Sequence, residues 1–465
     1  MGVGVSGWQL ARAVAQAGQL GVVSGTALSI IQSRRLQLGD PGGHVRRALG
    51  HFPFPEISGR VLDSYYIPGG KPAGRRFAAL PMPAVQFCRA LMELTIVSNF
   101  VEIFLAKEGH GGVVGVNYLE KLQSTTLPSL FGAMLAGVDY VLIGAGIPRA
   151  IPGVLQKLAN GEACQLKVDV LGALAGEETV STFDPGDFCD GAAPALKRPT
   201  FLAIVSSATL ATALVRKSDG PVDGFVVEGS TAGGHNAPPR GPTQFNGRGE
   251  PQYGPLDVPD LERFRGLGLP FWLAGGYGSA GKLAEALRLG AAGIQVGTAF
   301  AFCAESGITS SLKGRVIARA RRGGGGAGGA IDVLTDPKAS PTGFPFKVLQ
   351  QEGSLSEAEV YDGRQRHCDL GYLRSTYRKA DGTAGYRCPA EPEEQYVAKG
   401  GAAAECSGRK CLCNGLLATV GLGQIRDGAV EPPLLTAGDD LSCLCNFLAP
   451  GADSYAAADV VRVLL

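Results

Sequence analysis

The chain has 465 residues, 45% hydrophobic and 18% charged, with 43 basic and 42 acidic side chains and a formal net charge of +1. That length buries a large core, and the balanced charge, without a basic arm or stripe, disfavours nucleic-acid binding. No apolar run reaches the ~18 residues that span a bilayer, the first residues lack a signal peptide's basic start and unbroken apolar stretch, and the eleven cysteines show no compact repeated spacing over the first 300 residues, so a cytoplasmic protein is expected.

In chain order, residues 8–17 read as a helix and 21–24 as a strand. Residues 40–93 form a mostly helical, proline-punctuated insertion. A strand at 113–117, a helix near 128–136 and a strand at 140–143 follow. Residues 160–200 are a second insertion with an extra strand at 166–170, before strands at 201–205, 224–227, 271–274 and 293–296. These runs are almost continuously apolar, as strands buried on both faces must be. Their alternation with helical stretches is that of βα units on a parallel sheet.

Without the inserted strand the count is seven, beginning near 21, 113, 140, 201, 224, 271 and 293. The expected architecture is an α/β fold, a (β/α)8 TIM barrel over residues 1–305 whose first strand is truncated, since only five residues precede Ser6. Residues 306–350 read as a glycine-rich linker, with GGGGAGG at 323–329, and a loop returning toward the site. Residues 351–465 read as a cysteine-rich accessory region.

Glycine is the compositional outlier, with 69 residues, about twice the average usage of ~7%. Two glycine corners stand out. FWLAGGYGSAGKLAEAL gives a strand, Gly275-Gly276-Tyr277-Gly278 and a helix from about Ala280; one βα unit later GIQVGTAF gives a strand, Gly297-Thr298 and another helix. Loops after the last two strands of a barrel commonly bind phosphate, because free backbone N–H groups converge at helix starts. Either corner alone would read as a tight turn. Two at consecutive strand ends favour a phosphate site, to which the Thr298 hydroxyl adds a donor.

The loop after the strand at 224–227, VVEGSTAGGHNAPPRG, is built from small residues and ends at His235. Small residues let a flat ring lie against backbone, and histidine is the side chain most easily poised as a base near neutral pH. An isolated loop histidine is more often solvated or tied to a carbonyl. The position of His235 at a strand's C-terminal end favours function. His44, His51, His110 and His367 lack such a setting.

These stretches resemble the nitronate monooxygenase family, which also includes FMN-dependent enoyl-ACP reductases. The matching segments are MGVGVSGWQLARAVAQAGQLGVVSG at the start, VGVN at 114–117, EGSTAGGH at 228–235, LAGGYG at 273–278 and VGTAF at 296–300, in order across residues 1–305. The resemblance implies FMN as cofactor. It places Met1, Gly2, Val3 and Asn117 beside the flavin ring, with Glu228, Gly229, Ala232, Gly233 and Gly234 in the loop packed beside it. Gly275, Gly276, Gln295, Gly297 and Thr298 would hold the cofactor's phosphate end. His235 falls on the family's catalytic histidine, which deprotonates a nitroalkane or orients a nitronate. Family members carry a strand ending at the methionine that is Met1 here.

The implied activity is oxidation of alkyl nitronates by O2 to carbonyl compounds and nitrite. A rival within flavin chemistry is NAD(P)H-driven reduction of an enoyl thioester or quinone; the chain has no separate GxGxxG unit for a dinucleotide. A rival outside catalysis is a truncated barrel acting as a flavin-binding or scaffold protein. The partners expected are a small substrate and O2, with neither nucleic acid nor membrane; homo-oligomerisation is open.

In the tail, Cys368, Cys388, Cys411 and Cys413 could supply four thiolates, with Cys406, Cys443 and Cys445 nearby. Cys-x-Cys pairs with wide gaps match zinc knuckles poorly, so free or buried thiols are expected and no metal ligand is assigned. The segment TDPKASPTGFPFKV at 335–348 resembles a family segment that returns over the flavin; its plainer reading is a surface loop.

Overall fold

The computed structural model describes residues 2–191, 193–323 and 332–465. Met1 and residues 324–329 of the glycine-rich run therefore lie outside the described residues.

Seven strands form one parallel sheet in sequence order: β1 (Gly21–Ser24), β2 (Val114–Leu119), β3 (Tyr140–Gly144), β4 (Thr200–Val205), β5 (Gly224–Glu228), β6 (Phe271–Ala274) and β7 (Gly293–Gln295). Each pairs with the next in parallel register, Val23 with Val116, Val141 with Phe201 and Val226 with Trp272 among them. The side-chain period of two divides every strand between two cores. Leu142, Leu202, Val226 and Ala274 face inward with Val22, Ile204 and Trp272. Val116, Val141, Phe201, Phe225 and Leu273 face the surrounding helices. Fully burying such a side chain contributes about 1.5–3 kcal/mol, which is why the strands read as unbroken apolar runs.

The sheet is a curled half-barrel. Among the described residues nothing pairs with the outer edges of β1 and β7, and the eighth strand of a closed (β/α)8 barrel is absent from them. Residues 3–5 form a turn, held by the Val5 N–H donating to the Gly2 carbonyl at 3.2 Å.

The insertions differ in detail from expectation. Residues 40–93 contain helices His44–Leu49 and Pro55–Tyr65 and the start of the long helix Arg89–Lys107. Residues 66–88 between them carry no helix, because four prolines there remove donors and disfavour helical backbone in the preceding residues. The extra strand expected at 166–170 is an antiparallel hairpin, Cys164–Val168 with Thr179–Phe183. The short Val170–Leu171 pairs with Ser375–Arg378 of the tail. The helix expected near 128–136 spans Gln123–Leu135.

The C-terminal residues return over the sheet. A hairpin, Val333–Asp336 with Phe346–Leu349, reaches the end of the 228–235 loop through a bridge between His235 and Phe346. The last helix, Ala457–Leu464, packs on Trp8–Gln16 and Ala280–Arg288, the helices beside the opening between β1 and β7.

Candidate active site

Two neighbouring cavities, sharing Gly2, Glu228, Gly233, Gly234 and Thr436 in their walls, lie at the C-terminal ends of the strands. The larger, about 550 Å³, falls within the ~300–1,000 Å³ that small-molecule sites occupy. Gly2, Glu228, Ala232, Gly233, Gly234, Gly275, Gly276, Gln295, Gly297 and Thr298 lie on its wall. It also runs down the opening between β1 and β7, past Gln19, Leu20 and Trp272. The smaller, about 90 Å³, is lined by Gly2, Val3, Asn117, Glu228, Gly233, Gly234 and His235. Of the described residues singled out in the sequence for the site, Gly229 alone lines neither cavity. Its N–H instead donates to the Ala274 carbonyl at 3.1 Å and its carbonyl accepts from Ala232, fixing the turn.

The glycine corners are local consequences of sequence. Gly275 and Gly276 have φ of +88° and +73°, in the left-handed region that costs other residues about 1–2 kcal/mol. Ser279 caps the following helix by accepting from the Lys282 N–H at 3.3 Å. After β7 the expected helix is only Thr298–Ala301, four residues, so the attraction for an anion comes from backbone amides. The N–H groups of Gly276, Tyr277, Gly278, Gly297 and Thr298 make no hydrogen bond to other described residues. A Cβ at Gly297 would meet nothing within 4 Å. Unpartnered amides facing open space fit a phosphate group.

His235 is partly buried at the other end. Its Nε2 lies 2.7 Å from Ser340 Oγ, and Phe346 stands edge-on to the ring at 4.9 Å between centroids. Burial, assisted by nearby Lys121, lowers its pKa to about 3. The ring is therefore neutral at ordinary pH. The 335–348 segment returns over the site, since Ser340 and Phe346 both touch His235.

Three contributors escaped the sequence reading. Residues 436–438 lie on the larger cavity: the Gly234 N–H donates to Thr436 Oγ1 at 2.8 Å and the Gly438 N–H to Thr298 Oγ1 at 2.9 Å. A Cβ on Gly233 would stand 2.7 Å from the Ala437 carbonyl carbon, so this strap needs glycine opposite it. Lys121, just beyond β2, is on the wall of neither cavity, and its buried Nζ has no hydrogen-bond partner among the described residues. It stands over the Phe344 ring, and burial lowers its pKa to about 7. Tyr372, Leu373 and Cys413 close the smaller cavity from the tail. Nothing local marks any of these, and all but Lys121 reach the site from far along the chain.

Glu228 ends β5 and lines both cavities, and burial raises its pKa to about 7. The unfolded chain ionises this carboxyl near its ordinary value, so its contribution is fully present below about pH 4.5 and is lost as pH rises through about 7. A shift of this size is worth about 3 kcal/mol. Glu228→Gln is expected to be more stable than the parent at pH 8 by about 2–3 kcal/mol and indistinguishable at pH 4.5, by urea denaturation. Equal differences at both pH values would refute the buried carboxyl.

Residues 151–321 match the family described as nitronate monooxygenase. No curated protein matches the chain in sequence. Solved structures similar to it include FabK from Thermotoga maritima (14% identity, 99% of this chain and 88% of that one, TM-score 0.47). Another is the nitroalkane oxidase from Streptomyces ansochromogenes (16%, 100% and 92%, 0.45). A third is the enoyl reductase domain of MlnA from Bacillus amyloliquefaciens (11%, 100% and 91%, 0.47). The matched stretch contains the 228–235 loop and both glycine corners, so the nitronate monooxygenase pattern is present in this chain over residues 151–321, and it is that of an oxidoreductase.

Proposed function

We propose that the chain binds FMN across the strand ends and oxidises small alkyl nitronates with O2. The observation that carries this reading is a neutral histidine on one cavity and a group of unpartnered amides on the neighbouring one that shares its wall. Those amides, with the Thr298 hydroxyl, would hold the phosphate. The Ala232-Gly233-Gly234 backbone gives a flat ring room to lie close, and Glu228 would accept hydrogen bonds from cofactor hydroxyls. FMN, when bound, supplies the redox chemistry by taking electrons from the substrate and passing them to O2.

The protein's task is to orient the substrate and exclude water. A histidine whose pKa is near 3 has little driving force to remove a proton from carbon. It can still direct a hydrogen bond to a substrate that arrives as the anion, which favours nitronates over neutral nitroalkanes. Lys121, buried, unpartnered and close enough to affect the His235 titration, supplies the matching positive charge. Because its pKa is about 7, its ammonium form is lost as pH rises through neutrality. In the parent, KM is expected to rise above pH 7; Lys121→Met should raise KM for a nitronate roughly tenfold, or ~1.4 kcal/mol, and abolish that pH dependence. A KM unchanged at pH 6 would remove Lys121 from substrate binding.

The deciding experiment is identification of the acid-released chromophore, then oxygen uptake with propyl-2-nitronate and anaerobic mixing with NADPH. Stoichiometric FMN with nitronate-dependent oxygen uptake supports the proposal. Rapid bleaching by NADPH without nitronate turnover would replace it with an enoyl-thioester or quinone reductase. A protein that takes up no flavin would end both.

A further inference from the structure

The tail brings Cys368, Cys388, Cys411 and Cys413 to the wall of a single hollow. They come from three separate segments. Cys368 lies before the hairpin Ser375–Arg378 with Ala384–Arg387, Cys388 directly follows it, and Cys411 and Cys413 flank the start of the helix Leu412–Thr419. All four are free thiols. Cys388 and Cys411 form a small buried cluster with Ala390, and Cys368 and Cys413 pack against it.

Their arrangement is mutual. Each of the six pairs is near enough for one thiolate to oppose ionisation of the other, which four points achieve only by converging. The backbone N–H groups of Gly371, Ala390, Asn414 and Leu373 stand close enough to Cys368, Cys388, Cys411 and Cys413 in turn to ease ionisation of each sulfur. The Asn414 side-chain amide adds a further donor to Cys411 Sγ at 3.4 Å. Arg374 and Arg364 place positive charge beside Cys368 and Cys411. Inert buried thiols have no need of this. Amide donors and nearby cations are what thiolate ligands need, because they spread the negative charge and fix each sulfur's direction.

Among the described residues, no three Cys, His, Asp or Glu side chains are drawn together tightly enough to surround a single metal ion. Zinc requires that contraction, since its four ligands share one centre. An iron–sulfur cluster does not, because each thiolate binds a different iron and the inorganic sulfides fill the space between. We propose that Cys368, Cys388, Cys411 and Cys413 ligate a four-iron iron–sulfur cluster.

The cluster would tie together three segments whose own elements are short, a form of cross-link that small units commonly need. It also has a defined neighbour. Leu370, Tyr372, Leu373, Leu412 and Cys413 line both this hollow and the smaller cavity that holds His235. One layer of side chains therefore separates the two sites, although the cluster proposal stands independently of which cofactor or substrate that cavity takes.

The test is elemental and does not depend on flavin. The full chain is purified anaerobically from iron-supplemented cells and assayed for iron, zinc and acid-labile sulfide, with EPR after dithionite reduction. About four irons and four sulfides per chain are expected, with an iron–sulfur EPR signal. Cys388→Ser and Cys411→Ser should each lose at least half the iron, whereas Cys88→Ser, at an exposed thiol, should keep it. Stoichiometric zinc without sulfide would overturn the cluster. So would a parent chain that takes up neither iron nor sulfide after anaerobic reconstitution with ferrous iron and sulfide. Both results are read on the parent, whatever the folding of the variants.

Discussion

His235→Asn is expected to lower nitronate turnover by at least ~10²-fold, the lower end of what one positioned hydrogen-bond donor contributes, without loss of bound flavin. Asn keeps the residue's backbone bridge to Phe346 and a polar side chain, but not the imidazole that Ser340 orients at 2.7 Å. The phosphate corners lie on the other cavity and should be untouched. Turnover per flavin and flavin content are therefore measured together. Unchanged turnover would remove His235 from the chemistry, and joint loss of flavin and activity would make it a structural residue.

A stability signature accompanies that loss. The native ring stays neutral down to about pH 3, whereas the unfolded chain protonates it near 6.5, so its contribution is present above that value and is lost as pH falls. By pH 5 the penalty on the parent amounts to roughly 2 kcal/mol. His235→Asn lacks it, so the variant should lose less stability than the parent between pH 7 and pH 5 in urea denaturation. Parallel losses would show that the ring is not held neutral by burial.

The second large effect is expected at the phosphate corner. Gly276→Asp should weaken FMN binding at least 100-fold, or about 2.7 kcal/mol. Aspartate is among the few residues that tolerate positive φ, and the nearest atom to a Cβ there is Thr231 Oγ1 at 3.5 Å. The fold should therefore survive while a carboxylate faces the unpartnered amides and repels the anion they would attract. Gly297→Ala is the control. Its φ is −113° and its Cβ meets open space, so binding should change less than about threefold, under ~1 kcal/mol. Retained flavin in Gly276→Asp, by absorbance after gel filtration, would move the phosphate elsewhere.

The amino-acid sequence determined the sheet and its corners, because these are set by residues close in the chain. Burial on both faces demands apolar runs such as FLAIV and GFVV, and a turn with positive φ demands Gly275 and Gly276 wherever it lies. Each of the seven expected strands has a counterpart in the sheet. Short-range patterns failed where long-range pairing decided the outcome. The strand expected at 166–170 became a hairpin because Thr179–Phe183 folds back on Cys164–Val168, and the helix after β7 stops after one turn.

What only the tertiary structure decided is who completes the site. Ser340 meets His235 across 105 positions, and Thr436 meets Gly234 across 202. Lys121 has its Nζ buried because Phe344, more than two hundred positions away in the chain, stands against it. The cysteines repeat no metal-binding spacing along the chain, yet they converge once the hairpin between Cys368 and Cys388 lets their segments meet. Such contacts carry no period and no signature, because their energy comes from burial between distant elements and is realised only when the whole chain has folded.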